Sequence, residues 1–238
     1  MKVLIINATM REESGYNAAR VLSEMIAGEQ GVIYEVFLPK NLPDFCVGCY
    51  RCFDEGEQHC PHSKYVDTIR QAMDDSQVFV FAAPVYGRRI PAALKNFFDH
   101  LYYQWVFHRP KAEMWNKQAV VLISNKMAGA KQAANDIRDN LKHWGVARIH
   151  CATFKTDCQR FSDILPFDKV RIGHSLEKIT KKILKHTDTP PSLSSKLVFH
   201  TGRLYQKLKN KNKRDTDYWG EKGWLDVIRP WYVKRLRK

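Results

Sequence analysis

The residues best suited to chemistry lie just after the first apolar run of the chain. Residues 3–6 predict a buried strand, and an amphipathic helical pattern extends from residue 18 to residue 27. The turn between them is rich in hydrogen-bond donors, namely Thr9, Arg11, Ser14, Tyr16 and Asn17. A strand that feeds a helix directs backbone N–H groups and the positive end of the helix dipole at one point. The turn therefore predicts a phosphate site.

The glycine content of this turn narrows the kind of phosphate. Gly15 is its only glycine, and the GxGxxG pattern of dinucleotide sites is absent. A pyrophosphate lying close against the backbone is therefore disfavoured. A mononucleotide phosphate held by side chains fits better, and an ordinary loop between a strand and a helix is the alternative.

A second turn with binding character follows the third apolar run. Pro84 and Val85 open it, and the proline stiffens the backbone. Tyr86 offers a flat aromatic face, and Gly87 lets backbone N–H groups approach a planar ligand. Pro91 then suits the first turn of the next helix.

Four of the six cysteines lie in one short segment, with two, two and seven residues between successive thiols: Cys46, Cys49, Cys52 and Cys60. Such thiolates can hold an iron–sulfur cubane. They can also hold zinc, with His59 or His62 as a substitute ligand. A reduced, cysteine-rich loop without metal is the third possibility. Cys151 and Cys158 stand apart from this segment.

Apolar runs alternate with helical patterns along most of the chain. Strands are predicted at residues 3–6, 32–38, 78–83, 119–124 and 148–154, and helices at residues 15–27, 64–74, 91–103, 130–144 and 174–186. This alternation predicts an α/β fold, a doubly wound five-stranded parallel sheet in flavodoxin-like order. Ligands of such sheets bind at the carboxyl ends of the strands, so the turns after Asn7, Ala83 and Ser124 are expected to converge.

The two turns together resemble those of the NAD(P)H-dependent FMN reductase and flavodoxin-like superfamily. Its members have a Gly-Ser-x-Arg opening in the phosphate loop and a Pro-x-Tyr segment before a helix with Lys-x-Phe-x-Asp, which residues 84–86 and 95–99 match. This chain departs at Ala8 and Thr9, although Thr9 keeps the hydroxyl. The likeness covers residues 1–185 and implies bound FMN. The five donors would surround the phosphate, residues 84–87 would lie along the ribityl chain and ring, and Ser124 with Asn125 would close the third side.

The resemblance implies an oxidoreductase that transfers hydride from NADH or NADPH through FMN to a small electron acceptor, such as a quinone or a flavin. It also implies a homodimer or homotetramer. No set of histidines and acids stands out as a nucleophile and base, which agrees with a cofactor that carries the chemistry itself. His100, His108, His143 and His150 are isolated in the sequence and are expected to be packing or surface residues.

The cysteine segment resembles that of iron–sulfur flavoproteins, which combine a 4Fe-4S cluster with FMN on this fold. The resemblance gives an alternative function, an electron carrier with a cluster at the four clustered cysteines. Such a carrier would exchange electrons with a redox protein partner docked on the basic tail.

The positive charge is concentrated toward the C-terminal end. The net charge is +14, and residues 185–238 carry 14 Lys and Arg against 5 Asp and Glu. We expect residues 1–187 to form the FMN-binding domain and residues 188–238 to form a basic, aromatic helical extension packed on it. A binding module that uses this tail for nucleic acid or membrane is a third hypothesis. No nucleic-acid fold motif accompanies the tail, so a solvated basic face is expected instead of a specific nucleic-acid site.

The chain has no apolar run of about eighteen residues, and its first residues read as a strand and not as a signal peptide. We therefore expect a cytoplasmic protein without a transmembrane segment.

Overall fold

The computed structural model describes residues 1–155, 161–187, 190–210 and 212–231, so Cys158 and the basic segment 232–238 lie outside it. Its five strands are β1 (Lys2–Asn7), β2 (Val32–Phe37), β3 (Val78–Pro84), β4 (Gln118–Asn125) and β5 (Arg148–Lys155). They pair in parallel in the order β2-β1-β3-β4-β5. This is the flavodoxin-like order, so the predicted fold class is confirmed.

The helices of the described residues are α1 (Ser14–Ala27), α2 (Arg51–Asp54), α3 (Ser63–Asp75), α4 (Ala92–His100), α5 (Ala130–His143), α6 (Pro166–Lys185), α7 (Leu193–Leu208) and α8 (Lys213–Glu221). Two helix bounds differ from prediction by more than one residue. The helix predicted to reach residue 103 ends at His100, and a 3₁₀ turn follows at Tyr102–Gln104. The helix predicted from residue 174 begins at Pro166, because proline suits the first helical turn and Asp168 there complements the helix dipole.

The sheet separates two apolar cores. Side chains alternate along each strand, so Leu4 and Ile6 enter one core while Val3 and Ile5 enter the other. Helices α3, α4 and α5 cover the first core, and α1 and α6 cover the second.

Helices α7 and α8 form the predicted C-terminal extension, and its aromatic side chains join the first core. Trp219 stacks on Phe199 with ring centroids 5.3 Å apart, and Phe199 also packs edge-on against Trp115. The indole N–H of Trp219 donates to the carbonyl of His108 at 2.7 Å. Because the extension shares a core with the sheet, the division of the chain into domains at residue 187 stays a prediction.

A buried ion pair also ties the extension to the main body. Asp215 of α8 is fully buried, and its carboxylate accepts a hydrogen bond from Arg109 at 2.5 Å. The other carboxylate oxygen lies 2.8 Å from Nδ1 of His108. Arg109 donates in addition to the carbonyl of Cys52. Asp215 and Arg109 therefore connect the extension to the cysteine segment.

Candidate cofactor site

The carboxyl ends of β1, β3 and β4 lie side by side. In the parallel register Asn7 is opposite Ala82, and Pro84 is opposite Ser124. The turns that follow these strands therefore leave the sheet at one edge, as the sequence analysis predicted.

Two glycines show how closely these turns approach one another. A Cβ on Gly15, in the first turn of α1, would lie 3.0 Å from Oγ of Ser124. Gly129, which follows β4, has a φ of +108°, and a Cβ there would lie 2.6 Å from Cα of Arg88 and 2.9 Å from Cγ1 of Val85. The start of α1 thus contacts the end of β4, and the turn after β4 contacts the turn after β3.

The carbonyl groups of the first turn are held by side-chain amides. Nδ2 of Asn7 donates to the carbonyl of Thr9 at 2.9 Å and to that of Arg11 at 3.0 Å. Nδ2 of Asn17 donates to the carbonyls of Glu12 and Glu13 at 2.9 and 3.1 Å. Asn7 was not among the predicted site residues, and its signal was a polar side chain ending an apolar strand. These amides fix the path of the turn.

Two predicted hydroxyl donors are likewise engaged within the protein. Thr9 donates through Oγ1 to the carbonyl of Arg11 at 3.2 Å. The hydroxyl of Tyr16 donates to Glu35 of β2 at 2.8 Å, and burial together with this bond raises the pKa of Tyr16 to about 12. Direct phosphate contacts by Thr9, Tyr16 and Asn17 therefore stay predictions, and in this structure the three residues shape and anchor the turn.

Arg11 and the start of α1 remain as the groups best placed for an anion. The side chain of Arg11 is 65% exposed, and its Nη1 lies 3.6 Å from the Glu13 carboxylate. Exposed pairs of this kind are weak, so the guanidinium is able to turn toward a phosphate. Ser14 is buried in the first turn of α1, and the side chain of the N-cap residue Glu13 makes no capping hydrogen bond. A helix start offers backbone N–H groups and the positive end of the helix dipole, so the donor set fits a phosphate monoester.

The second turn presents an open aromatic face. Tyr86 and Arg89 exchange two backbone hydrogen bonds of 3.0 and 2.9 Å, and the residues between them, Gly87 and Arg88, have φ values of +54° and +66°. The Tyr86 side chain is 49% exposed. A planar ligand is therefore able to reach its ring. Ser124 and Asn125 end β4 as buried polar residues, and Nδ2 of Asn125 donates to the carbonyl of Met127 at 2.6 Å.

The four clustered cysteines line one cavity of about 250 Å³. Asn96 of α4 anchors their segment, since its Oδ1 accepts from the backbone N–H of Cys46 and its Nδ2 donates to the carbonyl of Asp44, both at 2.9 Å. Burial, followed by the charges of the neighbouring thiolates, raises the pKa of Cys52 to about 11. Burial also raises the pKa of Cys60. The fold thus brings the predicted metal-binding cysteines to one place.

Two histidines line the cysteine cavity, and a third candidate ligand lies outside it. His59 is exposed, with Nδ1 3.0 Å from the carbonyl of Glu55, whereas His62 lines the cysteine cavity. His100, which is isolated in the sequence, is a buried packing residue that lines the same cavity, with Nε2 2.9 Å from Nδ1 of His62, and burial lowers its pKa. The prediction missed this pair because its members lie on different elements.

Comparison with known proteins agrees with this geometry. Residues 1–159 match the family model described as NADPH-dependent FMN reductase. The chain belongs to the NADPH-dependent FMN reductase family. The family predicted from the two turns is therefore confirmed. As a member of this family, the chain is an FMN-dependent NAD(P)H oxidoreductase.

Similar proteins include flavoproteins of several kinds. An iron–sulfur flavoprotein of Archaeoglobus fulgidus is 21% identical over 215 residues, which cover 88% of this chain and 94% of the relative. A solved FMN-dependent NADH-azoreductase of Bacillus anthracis, in complex with FMN, has a TM-score of 0.56 at 10% identity and covers 79% of this chain and 100% of its own. An NAD(P)H:quinone oxidoreductase of Methanothermobacter marburgensis has a TM-score of 0.54 at 15% identity, covering 78% of this chain and 96% of its own. At these identities the two structures show a shared fold.

Among the helices of the described residues, none is both long and apolar enough to cross a membrane. The cytoplasmic location and the oligomeric state stay predictions.

Proposed function

We propose that this FMN reductase family member binds FMN where the turns after β1, β3 and β4 meet, and that it passes electrons from NADH or NADPH to a small acceptor such as a quinone, an azo compound or a free flavin. The observation that carries the proposal is the close approach of the three turns at Gly15 and Ser124 and at Gly129 and Val85. A ligand at this edge of the sheet would contact all three turns at once.

Each turn would hold a different part of the cofactor. Arg11 and the start of α1, where Ser14 lies, would hold the phosphate because they combine an exposed cation with the positive end of a helix dipole. The second turn would lie along the ribityl chain and ring through Pro84, Val85, Tyr86 and Gly87. Ser124 and Asn125 would close the third side of the site.

The protein's own contribution is binding and orientation. Asn7 and Asn17 draw four carbonyl oxygens of the first turn into hydrogen bonds, so these oxygens are held in fixed positions as an anion approaches. When bound, FMN supplies the hydride chemistry between the nicotinamide and the acceptor. Tyr86 would cover part of the ring and limit its access to water.

FMN binding and reduction test this proposal directly. We expect the purified protein to quench FMN fluorescence on titration, and its bound FMN to lose its yellow colour when NADH or NADPH is added anaerobically. Replacing Arg11 by Ala removes a charged hydrogen bond of about 1.5 to 3 kcal/mol, so the FMN Kd should rise by roughly 10- to 150-fold. Arg138→Ala, on α5, is the matched control and should leave the Kd unchanged.

Wild-type protein that takes up no FMN would contradict the proposal, as would bound FMN that neither nicotinamide reduces. An Arg11→Ala variant with unchanged affinity would contradict the assignment of Arg11 to the phosphate.

The electron-carrier alternative rests on a separate observation, the cavity shared by all four clustered cysteines. The iron–sulfur flavoprotein relative also supports it. It requires a 4Fe-4S cluster, so protein purified anaerobically should contain about four iron atoms and matching acid-labile sulfide per chain. Protein without iron would reject this alternative and leave the FMN assignment intact.

A further inference from the structure

Two imidazoles and one thiol in the cysteine cavity are close enough to share an ion. Nδ1 of His62 lies 2.9 Å from Nε2 of His100. One ring nitrogen of each histidine and Sγ of Cys60 all lie within 4.8 Å of one another. Zinc bonds of about 2.0 to 2.3 Å place neighbouring ligand atoms of a tetrahedral site roughly 3.3 to 3.8 Å apart. Small side-chain adjustments would therefore bring all three atoms onto one metal.

The hydrogen bonds of His100 prepare it to act as a ligand. Its Nδ1 lies 2.9 Å from the carbonyl oxygen of Asn96, and a carbonyl can only accept, so the ring proton is on Nδ1. Nε2 of the neutral ring then carries a lone pair directed at His62. A histidine whose tautomer is fixed by a backbone carbonyl is the usual arrangement in protein metal sites. Without metal, the Nδ1–H group of His62 donates a hydrogen bond to this lone pair on Nε2 of His100.

We propose that Cys60, His62 and His100 bind a single Zn²⁺ ion, with the fourth position facing the cavity where Cys46 and Cys49 lie. The site goes beyond the FMN-dependent reaction and does not depend on it. On binding, zinc would take the place of the proton on Nδ1 of His62, and the neutral His62 ring would carry its proton on Nε2 instead. The Cys60 thiol would release its proton to solvent.

The surrounding residues give the site rigidity and access. Asn96 holds His100 through its carbonyl and holds the cysteine segment through its side-chain amide. Cys46 and Cys49 are exposed, so the cavity is open to an ion from solvent. Bound zinc would join the cysteine segment to the end of α4, the helix that follows the proposed flavin-binding turn.

The zinc site and a 4Fe-4S cluster exclude each other, because both use Cys60. A cluster would use four thiolates and leave the imidazoles without a role. Zinc would use both imidazoles and would not need Cys52. This difference allows the two assignments to be separated by single substitutions.

The test measures zinc, iron, acid-labile sulfide and FMN on the same anaerobically purified full-length samples. We expect about one zinc per wild-type chain. His62→Ala and Cys60→Ser should lose the zinc, whereas Cys52→Ser should keep it. His59→Ala is the matched control, because His59 is exposed outside the cavity, and it should also keep the zinc. Stripped wild-type protein loaded with Co²⁺ should show the intense visible bands of a tetrahedral site with a thiolate ligand.

Wild-type protein that binds neither Zn²⁺ nor Co²⁺ would overturn the proposal. So would zinc that persists in His62→Ala, or an iron–sulfur cluster that survives His62→Ala and is lost in Cys52→Ser. Since FMN is measured on each sample, failure of the zinc site would be distinguished from failure of the flavin site.

Discussion

A pair of glycine substitutions tests how the C-terminal extension is packed. Gly202 lies within α7 on its buried face, and a Cβ there would lie 2.6 Å from Cγ2 and 2.7 Å from the carbonyl oxygen of Val106. Ordinary contacts between carbon atoms are about 3.5 to 4.0 Å, so Gly202→Ala requires a shift of roughly 1 Å. Gly173 lies within α6, where an added Cβ would meet no atom within 4 Å.

The two substitutions should have opposite effects on the free energy of unfolding. Each should gain up to about 1 kcal/mol of helix propensity. Overpacking at Gly202 should cost about 3 kcal/mol, the upper part of the usual range, because one contacted atom is a backbone oxygen. We therefore expect Gly202→Ala to lose about 2 kcal/mol and Gly173→Ala to gain 0.5 to 1 kcal/mol.

Urea unfolding followed by tryptophan fluorescence measures both values, and thermal unfolding should show Tm lower by roughly 4 to 8 °C for Gly202→Ala. A Gly202→Ala variant as stable as the wild type would show that α7 does not pack against Val106, and the shared core would have to be abandoned. Equal destabilisation by both substitutions would contradict the argument from contact distances.

Three further outcomes follow from buried polar groups. Asp215→Ala leaves Arg109 buried without its carboxylate partner, so the free energy of unfolding in urea should fall by about 3 to 5 kcal/mol. Asp139→Ala, which breaks an exposed ion pair, is the control and should change the free energy of unfolding by less than about 1 kcal/mol. Equal effects of the two substitutions would contradict a buried ion pair between Asp215 and Arg109. Burial raises the pKa of Cys52 from 9.0 to about 11. The stability that this shift contributes is therefore present below pH 9 and is lost as the pH rises through 11. Alkylation of Cys52 by iodoacetamide, followed by peptide mass spectrometry, should be half-maximal near pH 11, and a midpoint near pH 9 would contradict this. Nζ of Lys117 donates to three backbone carbonyls at 2.6 to 2.9 Å. Lys117→Met leaves these carbonyls without a donor and should lower the free energy of unfolding by roughly 2 to 4 kcal/mol. An unchanged free energy in the same assay would show that water replaces the ammonium group.

Helix α4 connects the two candidate sites of this FMN reductase family member. It begins after the turn that carries Tyr86 and ends at His100, and Asn96 between them holds the cysteine segment. A structural change at one end of α4 can therefore be transmitted along the helix to the site at its other end. This placement is a reason to measure FMN and metal content on the same samples.

The sequence alone determined the parallel sheet and the meeting of three of its turns at one edge. Apolar runs of strand length separated by helical patterns specify a parallel α/β sheet, and the carboxyl ends of its strands necessarily share an edge. The turns after Asn7, Ala83 and Ser124 could therefore be placed together from the sequence. The grouping of the four clustered cysteines was also evident, because their spacing along the chain is short.

Only the tertiary structure decided which partner each polar side chain takes. The hydroxyl of Tyr16 bonds Glu35 in this structure, and its contact with a phosphate stays a prediction. A hydroxyl on α1 can reach either the loop or the neighbouring strand, and local sequence does not distinguish them. His62 and His100 are separated by a strand and a helix, so their contact depends on how α3 and α4 pack on the sheet. Hydrophobic periodicity specifies which face of an element is buried, whereas hydrogen-bond partners and metal ligands depend on distances set by the packing of elements far apart in the chain.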